Sequence, residues 1–175
     1  ENFRKQMFML KRLGYKGLSM RDAMPYLREG KKGKVFVITF DDGFVNVLEN
    51  AAPVLAECGF TATNYFVSNQ TGGSNVWDIP KGLPKTDCMT AQQIREWAAL
   101  GHEVGAHTVD HVNLNDMSDE EAYHQIKDYK KALELNNGLI DAVYNLGLTQ
   151  AYLGEFNEAI TNYDKLISKF PGNDN

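Results

Sequence analysis

The stretch KVFVITFDDGF, Lys34 to Phe44, decides how this sequence is read. Val35 to Thr39 are apolar or β-branched, the composition of a strand, and Asp41 and Asp42 follow at once, where burial is still expected to be high. Two adjacent carboxylates repel each other and resist desolvation, so they require turn exposure, hydrogen-bond donors or a cation. One answer is a plain turn: Gly43 supplies positive φ and both aspartates sit in water. The other answer needs partners elsewhere in the chain.

The chain has 175 residues, 43% of them apolar and 11% aromatic, enough to fill the core of one domain or two small ones. A net charge of -5 and scattered lysines form no basic stripe interleaved with aromatics, which argues against a nucleic-acid partner. No apolar run approaches the roughly 20 residues that span a bilayer. The opening ENFRKQMFML has none of the three parts of a signal peptide, and no compartment follows from it. Cys58 and Cys88 fit no Cys-x-x-Cys spacing and read as unpaired packing thiols.

Up to about Glu120, short strand-like runs alternate with helical stretches: KVFVITF, FVNVLENAAPVLAECG, FTATNYFV, TAQQIREWAALG and HEVGAHT. That alternation predicts βα units and a parallel sheet, hence an α/β fold. Pro53 marks a kink or the first turn of a helix. Thr90 with Gln93, and Ser118 with Glu121, have capping-box spacing, and Gly101 is a helix stop. The run Ser68 to Met89, rich in Gly, Pro and Asn, is a long loop after the second strand. In a parallel barrel such loops leave the catalytic rim, so Trp77 and Asp78 are candidate substrate contacts; Trp77 pinning the loop to the core is the alternative.

Partners for the aspartates occur in HEVGAHTVDHVNL, His102 to Leu114. If the chain turns helically after the strand, His107 and His111, four apart, share a face and can meet a metal together. One strand ending in Asp-Asp-Gly and another ending in His-x-x-x-His place a carboxylate and two imidazoles at one rim. Three ligands with an open position suit a catalytic metal rather than a structural one.

TFDDG (Thr39 to Gly43) followed by GHEVGAHTVDH (Gly101 to His111) resembles the first two motifs of the polysaccharide deacetylase family, the NodB homology domain of carbohydrate esterase family 4. The resemblance covers roughly Phe3 to Tyr123. It implies a distorted (β/α) barrel with Asp41 as catalytic base, and with Asp42, His107 and His111 holding zinc, or cobalt or nickel in its place. The implied reaction is hydrolysis of the acetamide of an N-acetylated glycan, Asp41 taking a proton from the attacking water. His102, at the start of a strand, lies outside that set.

Later motifs of the family supply an arginine, an apolar and tryptophan wall and a histidine acid. After Ile126 this sequence has no Arg-x-Pro, no Trp and no His, so the resemblance implies a partial barrel and impaired activity. Residues 142–173 instead resemble a tetratricopeptide repeat, with Leu146, Gly147, Gly154, Ala159, Tyr163 and Pro171 at its small and aromatic positions. The expected organisation is a partial deacetylase domain over residues 1–125, then all-α repeat-like helices over residues 126–175 that would engage a peptide or protein. The two patterns meet near Gln125 without a Gly/Pro/Ser-rich linker, as in a chimera.

Overall fold

The computed structural model describes residues 1–127. The repeat-like region expected over residues 126–175 lies, apart from its first two positions, outside the described residues. In chain order the elements are helix α1 (Asn2–Arg12), strand β1 (Lys16–Leu18), helix α2 (Met20–Arg28), strands β2 (Val35–Val37) and β3 (Thr39–Phe40), helix α3 (Ala52–Cys58), strand β4 (Thr63–Phe66), helix α4 (Ala91–Ala99), strand β5 (Glu103–Ala106) and helix α5 (Asp119–Lys127). Strands alternate with helices as the pattern predicts, and every ladder between them is parallel. β1 pairs with β2, and β4 lies between β3 and β5.

The decisive stretch is the seam of this architecture. The Ile38 N–H donates to the Leu18 carbonyl at 3.0 Å, and the Ile38 carbonyl accepts from the Thr63 N–H at 2.9 Å. One extended segment therefore passes from one neighbour to the next at Ile38 and carries both sheets. It is not buried throughout, which corrects the expectation drawn from its composition. Phe36, Ile38 and Phe40 alternate onto the helix-covered face, where Phe36 meets Phe60 edge-on at 5.6 Å and Phe40 meets Phe3 and Trp97 at 5.8 and 6.2 Å. Val37, Thr39 and Asp41 are exposed. The strand period of two thus delivers Asp41 to the open face.

Leu55, Ala62, Met89 and Trp97 are fully sealed and form the centre of the core. α1 closes over α3, where the Arg4 guanidinium donates to both Glu57 oxygens and Lys11 Nζ donates to the Glu57 carbonyl at 2.7 Å. The segment Val47–Ala51 is a π-helical turn that runs directly into α3, so Pro53, near the start of α3, lies within one continuous helical run and just after its π-helical turn. Both capping boxes form, and Gly101 leaves α4 with φ +89°. Cys58 and Cys88 are buried and free. Among the described residues no helix is long and apolar enough to cross a membrane.

The long loop has more structure than its composition shows. It contains 3-10 turns at Ser68–Gln70 and Ile79–Lys81. Antiparallel bridges join Ser74 to Asp87 and Phe44 to Cys88, folding the loop's end onto the segment that follows β3. Those bridges hold it against the residues that leave the strand ends.

Candidate metal centre

Beyond β3 the chain reverses on two residues with left-handed backbone, Asp42 (φ 72°) and Gly43 (φ 71°). A Cβ on Gly43 would lie 2.3 Å from Phe66 Cδ1, so only glycine lets this turn press on β4. The Gly43 carbonyl accepts from the Met89 N–H at 2.8 Å, and the Val45 N–H donates to the Asp87 carbonyl at 3.0 Å. The backbone that follows Asp42 is fixed by sterics below and hydrogen bonds above.

Beyond β5 the His107 N–H still donates to the Phe66 carbonyl at 2.9 Å, extending the ladder by one residue. The chain does not then enter a helix, which corrects the helical route by which His107 and His111 were expected to meet. Thr108 (φ 62°) and His111 (φ 57°) are both left-handed, and the His111 N–H donates to Thr108 Oγ1 at 2.9 Å. This tight turn brings the two rings to 4.9 Å. A non-glycine residue in that conformation costs about 1–2 kcal/mol, so three of them at one rim mark backbone held against its preference.

The three side chains converge. Asp42 Oδ1 lies 3.4 Å from His107 Nε2 and 3.2 Å from His111 Nε2, and one ligand atom from each residue falls within 4.8 Å of the others. Oδ1 is nevertheless buried without any hydrogen-bond donor. Burial pushes the Asp42 carboxyl above the usual carboxylate range, with the two histidines pulling the other way. Burial also pushes His107 below its ordinary value, against the pull of Asp41 and Asp42, so at neutral pH it offers a lone pair rather than a charge. Ligand atoms about 2.0–2.2 Å from a tetrahedral cation stand roughly 3.3–3.6 Å apart, close to the separations of 3.4 and 3.2 Å between Asp42 Oδ1 and the two imidazole nitrogens. The donor set fits a divalent cation.

Asp41 is exposed beside this cluster, close enough for its charge to act on His107, Asp42 and Tyr65. Trp77 stacks on His111 at 4.4 Å and faces Phe44 at 6.5 Å, so it pins the loop and walls the site at once. Asp78 is engaged within its own loop, accepting from Lys81 Nζ at 3.1 Å and Asn75 Nδ2 at 3.3 Å; these donors, Lys81 first, hold its carboxyl below the usual range. His102 lies under Trp97 with ring centroids 4.1 Å apart, at the far end of β5.

Three neighbours escaped the sequence reading. Phe44 completes the aromatic stack. Tyr65 is pushed up to about 12 by burial and by the carboxylates of Glu103 and Asp41, so it keeps its phenolic proton. Gln125 binds the turn that carries the histidines. Of these only Phe44, adjoining the Asp-Asp-Gly turn, had a signal in the sequence.

Residues 28–152 match the polysaccharide deacetylase family. The chain belongs to that family. The match continues past residue 125, where the sequence reading places a boundary. The chain is 29% identical over 123 residues to YxkH of Bacillus subtilis, a protein named as a polysaccharide deacetylase, covering 69% of this chain and 40% of that one. It is 27% identical over 133 residues to the poly-β-1,6-N-acetyl-D-glucosamine N-deacetylase of Staphylococcus epidermidis, covering 75% and 46%. It thus spans less than half the length of either relative. Among solved structures, the Streptococcus pyogenes deacetylase PplD in complex with acetate superposes with a TM-score of 0.62 at 27% identity, over 75% of this chain and 55% of that one. IcaB from Ammonifex degensii shares the fold, with a TM-score of 0.57 at 23% identity over 77% and 58%.

Proposed function

We propose that this chain is a divalent-metal-dependent carbohydrate N-deacetylase. Asp42, His107 and His111 are its ligands, zinc the preferred ion with cobalt or nickel as substitutes, and Asp41 its general base. The observation that carries the reading is Asp42 Oδ1, which is buried and without a donor, yet lies 3.4 and 3.2 Å from two imidazole nitrogens. Such an atom is costly unless a cation completes it. A bound dication would supply Lewis-acid polarisation and a more acidic water.

The chain's own residues supply the remainder. Asp41, next in sequence to a ligand and open to solvent, accepts a proton from the attacking water. The new C–O bond forms at the acetamide carbonyl, the C–N bond breaks, acetate leaves, and the sugar amine takes its proton from solvent. Trp77 and Phe44 give the site an apolar wall against which an acetyl group or sugar face can rest. An N-acetylated glycan suits this wall and base, in keeping with the poly-N-acetylglucosamine for which the staphylococcal relative is named.

A second reading rests on the tetratricopeptide-like sequence of residues 142–173: a peptide-binding scaffold joined to an inactive deacetylase remnant. Metal analysis of the purified chain, with acetate release from β-1,6- and β-1,4-linked N-acetylglucosamine oligomers, separates the two. The deacetylase reading expects about one zinc per chain and acetate release, with zinc lost in both His107→Ala and His111→Ala. Equal metal content in all three proteins would overturn it. Limited proteolysis tests the junction: clean release of a fragment beyond residue 125 supports separate units, and a protected fragment crossing it supports one core.

A further inference from the structure

The turn that carries the two histidines is bent twice into left-handed backbone, at Thr108 and His111, and something must hold it there. Part of the hold comes from the loop after β4: the Ser68 and Asn69 N–H groups donate to the Thr108 and Val109 carbonyls at 3.2 and 3.0 Å. The other part comes from α5. Gln125 Oε1 accepts from the Val109 and Asp110 N–H groups at 3.1 and 3.0 Å, and its Nε2 donates to Asp110 Oδ2 at 2.8 Å. Asn69 Nδ2 donates to the other Asp110 oxygen at 2.8 Å. Two backbone N–H groups can meet only an oxygen, so the orientation of this carboxamide is fixed by its partners.

We propose that Gln125 is a positioning residue, whose carboxamide locks residues 107–111 in the turn that aims His107 and His111 at Asp42. This rests on the reading of those three residues as metal ligands. Gln125 acts through the backbone between the two imidazoles, at Val109 and Asp110. The side chain that binds one N–H from each of two adjacent residues, and also the carboxylate of the second, leaves that segment little freedom to unwind. Groups that orient metal ligands in this way typically change metal affinity 10- to 100-fold when removed.

The test uses the full chain, zinc as the probe, and three variants. Gln125→Leu removes every bond, and Gln125→Glu keeps the acceptor but sets a carboxylate against Asp110. The double variant Gln125→Glu with Asp110→Asn reverses donor and acceptor and restores the pair. Zinc affinity should fall about 10- to 100-fold in the first two and recover in the third. Without metal, amide hydrogen exchange at Val109 and Asp110 should accelerate in Gln125→Leu and stay slow in the double variant. Unchanged affinity and exchange in Gln125→Leu, or a double variant no better than Gln125→Glu, would overturn the proposal. If the wild-type chain takes up no zinc, the metal reading falls, and the exchange rates alone decide the clamp: fast exchange in Gln125→Leu supports it, unchanged exchange removes it.

Discussion

The two ends of β5 carry the same chemistry to opposite purposes. At its start stand His102 and Glu103, and just past its end His107 and His111 meet Asp42. Glu103 is only 1% exposed, yet its carboxylate accepts from the Arg21 N–H at 2.9 Å and from the Thr63 hydroxyl. Its carbonyl takes the Trp97 indole N–H at 2.9 Å, and His102 lies flat on that indole. Asp42 keeps more exposure but has one buried oxygen that no donor reaches. An acid and a histidine together say nothing of function; the acid whose oxygen is met by donors reads as structural, and the one with a buried oxygen that no donor reaches is the proposed metal ligand.

The comparison breaks most readily at the metal end. Asp42→Asn should lose bound metal, because an amide oxygen is a poorer ligand than a carboxylate and the set has only three members. Asp41→Asn should keep its metal and lose about 10²- to 10⁴-fold of whatever acetate release the wild type shows. Metal analysis and the acetate assay, run on both variants, read the two effects separately. Equal metal loss in both would mean that the adjacent aspartates share one role.

The opposite end should fail by stability instead. Glu103→Leu strands the Arg21 N–H and the Thr63 hydroxyl in a dry site, a cost of about 3 kcal/mol in urea unfolding. The folded fraction should still bind metal. A loss below about 0.5 kcal/mol, the usual range for surface positions, would show that this cluster is not the anchor its bonds suggest.

How far the sequence spoke follows the same division. Strand and helix alternation and both capping boxes were legible because each depends on neighbours in the chain: Thr90 needs only Gln93, and Ser118 only Glu121. The residues of the candidate site were legible as types, since Asp-Asp-Gly and His-x-x-x-His stand out. Their geometry was not. His107 and His111 meet through a left-handed turn held by Gln125 and Asn69, and no local rule links those positions across the fold. Nor could composition show that Val37 and Thr39 are exposed while Ile38 between them is buried, because that depends on which face the helices cover.

The smallest expected effect concerns His102. Burial pushes it below the ordinary histidine value of 6.5, and its Nδ1 has no hydrogen-bond partner. The sign follows from which state binds the proton first. Above about pH 6.5 the imidazole is neutral folded and unfolded, and contributes no pH dependence. As pH falls below that value the unfolded chain takes up the proton while the folded chain resists, so stability declines, by at most about 1.4 kcal/mol per pH unit. His102→Phe keeps a flat ring against Trp97 and removes the titration. Urea unfolding of both proteins with a chelator present, between pH 6.5 and 5, should show a shallower decline in the variant. His107, also displaced downward by burial, contributes equally to both and cancels in the difference. Parallel profiles would mean that His102 is protonated within the fold, and would remove the ground for reading this end of β5 as purely structural.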